Sequence, residues 1–97
     1  MGTKERIRYV FPTPDMDIPT GRGYVKVLRT FVFQPDAAIL LVDNTCDSIS
    51  RISEVDSYGV CYAIPRSDNT FRLFHTKSFN TYAKATVEFM QWVGRNV

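Results

Sequence analysis

The sequence predicts an α+β domain, a mostly antiparallel sheet of about five strands in β-β-β-α-β-β-α order with a C-terminal helix packed on one face. Three observations predict it. Apolar runs of strand length recur at 23–33, 37–42 and 57–76, turn-forming residues separate them, and a long stretch of helical periodicity closes the chain. At 97 residues there is room for one domain, 1–97, with a single hydrophobic core. An apolar share of 44% with 13% aromatics is globular rather than disordered composition.

Residues 6–11 alternate, with Ile7, Tyr9 and Phe11 on one side and Arg6, Arg8 and Val10 on the other, which predicts a short first strand. The PTPDMDIPTGRG that follows holds three of the five prolines and two of the five glycines, and so predicts a long loop. GYVKVLRTFVF at 23–33 is rich in β-branched and aromatic residues and predicts the longest strand. Gln34, Pro35 and Asp36 turn the chain into AAILLV at 37–42, whose unbroken apolar run belongs in the middle of the sheet. Asp47 can cap a short connecting helix over 47–55, marked by Ile49, Ile52 and Val55.

The stretch 57–76 predicts a β-hairpin with two unlike faces. Tyr58, Val60, Tyr62 and Ile64 make one face bulky, while Gly59, Cys61 and Ala63 leave the other nearly bare. Pairing Ile64 with Thr70 would set Tyr62 opposite Arg72, Val60 opposite Phe74 and Cys61 opposite Leu73. Ser78 then predicts the N-cap of a last helix reaching about Arg95, with Phe79, Tyr82, Ala83, Thr86, Phe89, Met90 and Val93 on its apolar face. The bare hairpin face offers that helix a seat. The bulky face is left for function, unless the long loop with Met16 and Ile18 covers it.

These faces predict a small stand-alone protein-binding module rather than an enzyme, and its size and lack of catalytic groups associate it with the inhibitors or adaptors that phages and mobile elements encode. Tyr58, Tyr62, Arg72 and Phe74 are the candidate partner-binding residues, with Trp92 at the edge of the helix's apolar arc as a further anchor; aromatics beside arginine are the types favoured at binding hot spots. The partner would be another protein or a second copy forming a homodimer. On this reading Tyr62→Ala with Arg72→Ala weakens binding and leaves stability nearly unchanged.

Two alternatives use other residues. Arg6, Arg8, Arg22, Tyr24, Lys26 and Arg66 interleave cations with aromatics as a nucleic-acid face would, and Arg22 with Lys26 could hold a nucleotide-like ligand in an oligomer. Twelve basic against ten acidic side chains, net +2, make the overall field too weak to argue for nucleic acid. Cys61 and His75 share a predicted face as a thiol and imidazole pair would, but a buried thiol is inert, so no catalytic residue is assigned. Asp43 and Asp47 with Asp15 or Asp17 read as caps and turn closures rather than cation ligands, and two cysteines with one histidine give no zinc set, so neither metal nor cofactor is expected.

MGTKERIRYVF is not patterned as a secretory signal, Arg6 stands where a myristoylation signal takes Ser or Thr, and no apolar run approaches the ~20 residues that cross a bilayer. A cytoplasmic protein with free thiols at Cys46 and Cys61 and no membrane partner is the expectation.

Overall fold

The computed structural model describes residues 11–19, 23–45, 57–66 and 70–97. The predicted helix at 47–55, residues 6–10 of the first predicted strand, and Cys46 lie outside these. Five strands form one antiparallel sheet in the order β1 (Asp17–Pro19), β2 (Tyr24–Gln34), β3 (Ala37–Asp43), β4 (Tyr58–Pro65) and β5 (Phe71–Phe79), and the helix α1 (Tyr82–Arg95) packs against it. The α+β architecture is the one the apolar runs predict. The central strand is β3, its AAILLV buried on both faces.

The first strand differs. Phe11 is buried but is not in a strand, and β1 lies inside the proline-rich stretch that reads as loop. What fixes β1 is β2. The Asp15 N–H donates to the Val27 carbonyl and the Val27 N–H donates to the Met16 carbonyl, each at 2.8 Å, while the Thr30 hydroxyl holds the Pro12 carbonyl at 2.6 Å. Asp15 makes the tight turn with a left-handed φ of 72°, a conformation that aspartate tolerates.

Two apolar layers result. Phe11, Ile18, Val25, Val27, Leu40 and Cys61 belong to one, with Phe71 and Leu73 packed against it. Ile39, Leu41, Val60, Ala85, Phe89 and Trp92 make the other, joined by Phe31, Phe33, Tyr58 and Tyr62. The helix therefore sits on the bulky face of the hairpin, and the Phe11 side of the chain sits on the bare one. This reverses the predicted seating, for two reasons. The bulky rings offer Phe89 and Trp92 a large apolar surface, which fully buried Ala85 lets the helix approach closely. On the bare face, the space beside Gly59 is taken: a Cβ there would lie 2.9 Å from Asn44 Nδ2.

The helix also starts later than Ser78. Strand β5 runs through Phe79, and Thr81 is the N-cap, its hydroxyl accepting the Lys84 N–H at 3.2 Å. Its buried residues are Ala85, Phe89 and Trp92, so Tyr82, Ala83 and Met90 of the predicted apolar face are exposed.

In the hairpin, the Arg66 N–H bonds to the Thr70 carbonyl at 2.8 Å, and the register moves by two residues from the predicted one. Tyr62 faces Phe74, Ile64 faces Arg72, and Ala63 rather than Cys61 faces Leu73. A bulge follows. Val60 pairs with Lys77, and His75 takes a left-handed φ of 56°. The extra residue switches the alternation, so Phe74 meets Tyr62 and Lys77 meets Glu88 on the same side of the sheet.

Candidate functional site

The helix runs along β4. Near its start Tyr82 meets Tyr58 edge to face, with centroids 5.8 Å apart, and near its end Trp92 stacks on Tyr62 at 4.9 Å and 24°. The two spans nearly match, about 15 Å for ten residues of helix and about 13 Å for four of strand. The helix ends at Arg95, one turn past Trp92, while β4 continues from Tyr62 to Pro65. Tyr62 there is the middle of a ring cluster: Phe74 stacks on it at 5.5 Å, Phe33 meets it at 5.9 Å and 62°, and His75 presents its edge at 6.2 Å. Phe33, Tyr62 and Phe74 are half-buried. Arg72 and Ile64, an opposed pair at the outer edge, are exposed.

Glu88 fixes the inner wall. Its carboxylate accepts the Trp92 indole N–H at 2.6 Å and pairs with Lys77 at 3.5 Å, so a half-buried acid is satisfied by two donors and the indole plane is held over Tyr62. Nothing in the helical pattern revealed this carboxylate, because a glutamate read by type alone belongs to the solvent side.

The structure thus brings together Tyr62, Phe74 and Arg72 of the predicted partner-binding set, adds Phe33, His75 and Ile64, and places Trp92 as a buried wall rather than an exposed anchor. Tyr58 is apart from these, beneath Tyr82 at the other end of the helix. There Arg29 Nε donates to the Tyr82 hydroxyl at 3.2 Å, which lowers the phenol's pKa below its ordinary value.

The alternative residues are not brought together. Exposed Tyr24 and Lys26 lie at the start of β2, whereas Arg66 lies past the end of β4, so roughly 25 Å of strand separates them. Lys26 also stands in register between Asp17 and Asp43, a poor setting for tracking phosphates. Arg6, Arg8 and Arg22 lie outside the described residues. Cys61 is buried in the first layer, its thiol pKa pushed up to about 12 by burial, while the His75 ring lies against Tyr62 and Phe74 on the helix side. The two do not form a pair.

Among the described residues no group of three or more His, Cys, Asp or Glu could hold a metal ion, and no helix is long and apolar enough to cross a membrane. No family model, no curated protein and no solved structure matches this chain.

Proposed function

We propose that the protein is a small binding module of the inhibitor or adaptor kind, which docks another protein on the shelf formed by Phe33, Tyr62, Phe74 and His75. The observation that carries this reading is the stack from buried Trp92 through Tyr62 to Phe74, which ends in half-buried rings with exposed Ile64 and Arg72 at the lip. Rings held this way lose little further freedom when a partner covers them, so their area converts efficiently into affinity. Arg72 would add a charge-assisted contact to a carboxylate of the partner, as arginine does at hot spots. The partner segment that fits presents an apolar or aromatic side chain with an acidic neighbour.

A photocrosslinking amino acid at position 64, compared with one at position 84 on the far side of the helix, tests this in source cells. A protein captured from 64 and not from 84 is expected, and Arg72→Glu with Ile64→Glu should weaken its binding to purified protein about a hundredfold. Equal capture from both positions, no capture, or unchanged binding by the double variant would overturn the proposal.

A further inference from the structure

The shelf borders an open sheet edge. Strand β5 stands last in the sheet, and among the described residues no chain bonds to its outer side. The hairpin register determines which backbone groups that edge presents. The Arg66 N–H donates to the Thr70 carbonyl, and antiparallel pairs alternate between bonded and non-bonded, so Ile64 with Arg72 and Tyr62 with Phe74 are bonded pairs. Arg72 and Phe74 therefore turn their N–H and C=O groups toward β4. Those of Phe71 and Leu73 point outward.

The open run is short. At His75 the left-handed φ of 56° and the register shift bend the strand, and exposed Lys77 follows; bulges and lysines both discourage pairing at an edge. Before them, Arg72 and Phe74 on the shelf side alternate with Phe71 and Leu73 on the other. Arg72 is exposed and has no carboxylate partner among the described residues.

Taking the shelf as the docking surface proposed above, we infer that its partner binds as an extended acidic segment, added antiparallel to β5 along 71–74. An extended backbone is the ligand that matches the outward N–H and C=O groups of Phe71 and Leu73 in register. The partner residue facing Leu73 exchanges both hydrogen bonds with it, and that residue's neighbours stand opposite Phe74 and Arg72 on the shelf side. The neighbour opposite Phe74 is aromatic or apolar and covers the half-buried rings, and the one opposite Arg72 supplies a carboxylate. From its N-terminus the segment therefore reads aromatic or apolar, any residue, acidic. A second copy of β5 does not fit. Its sequence, FRLFHTKSF, contains no acid, and pairing about Leu73 would set Arg72 against Phe74.

Selection from a displayed library of random peptides of about a dozen residues, with the whole protein as bait, tests this. Enriched peptides should share the predicted order, and Arg72→Glu should weaken the best of them about tenfold. In a synthetic copy of that peptide, N-methylation of the middle residue should weaken binding about tenfold, whereas N-methylation of the acidic residue, whose N–H points away from β5, should change it less than about twofold. Saturating the protein with the peptide should slow hydrogen exchange at the Leu73 amide and leave that of Phe74, already bonded to Tyr62, unaffected. No enriched peptide, binding indifferent to Arg72→Glu or to methylation of the middle residue, or unchanged exchange at Leu73 would overturn the inference. So would Leu73 protection that rises with protein concentration alone, the sign of a second copy at the edge. A partner crosslinked from position 64 that leaves Leu73 exchange unchanged would sink this inference and spare the proposed function.

Discussion

The indole of Trp92 lies flat on the phenol ring of Tyr62, 4.9 Å between centroids. Through this contact the C-terminal helix is joined to the ring shelf it borders, so the proposed docking surface and the fold share a residue. On the proposed function, the exposed lip, Arg72 and Ile64, is where binding would separate from stability, whereas Tyr62→Ala should also cost stability.

Trp92→Ala should cost about 3–5 kcal/mol, the range for emptying a large buried aromatic site. Trp92→Phe keeps most of the stacking and removes the bond to Glu88, and should cost about 1.5–3 kcal/mol. Urea denaturation measures both. Equal losses would mean that the hydrogen bond, not the ring, holds the helix down.

Gly59→Ala brings a methyl to within 2.9 Å of Asn44 Nδ2 and should destabilise by about 1–3 kcal/mol. In an Asn44→Ala background the same change should cost clearly less, because the crowded atom is gone. A double-mutant cycle in denaturant reads the coupling, and additive costs would place the strain elsewhere.

His75→Val forces a β-branched residue into a left-handed conformation and should cost about 1–3 kcal/mol, whereas His75→Asn, which tolerates that φ, should lose much less. Thermal unfolding of the pair distinguishes a requirement of the backbone from one of the imidazole.

Alkaline pH should destabilise the fold through Cys61. Its folded pKa of about 12 stands above the ordinary 9.0, so the native thiol keeps its proton where the unfolded chain has lost one. The contribution is whole below pH 9 and is lost as pH rises from 9 to 12. Within that window, wild-type stability relative to Cys61→Ala should fall by about 1.4 kcal/mol per pH unit, measured as urea unfolding free energy. A difference that stays flat from pH 8 to 11 would contradict the burial of the thiol.

The strands were legible where local pattern and tertiary demand agree. AAILLV can only be a strand buried on both sides, and the alternation of β4 announces two unlike faces. The alternation does not say what covers each face. That is settled by Asn44 filling the space beside Gly59 and by an extra residue in β5, and neither leaves a local trace. A glycine would have advertised the bulge; His75 does not. Likewise β1 is three residues within a proline-rich stretch, too short to display a period. At the shelf, Tyr62, Phe74 and Arg72 were legible as one face because the two-residue change of register preserves alternation. Trp92 as its wall was not, since its position depends on Glu88 turning inward to accept the indole N–H.

Each strand pairs with its neighbour in the chain, so the sheet can be assembled by successive short closures. The contact between the rings of Phe11 and Phe71, 5.7 Å apart, is of a different kind. It closes a loop on the order of 60 residues, the longest span of any ring pair among the described residues, and its closure entropy is correspondingly the largest. It should form after the hairpins, in the last step of folding, and substitutions at Phe11 should speed unfolding while barely altering the folding rate.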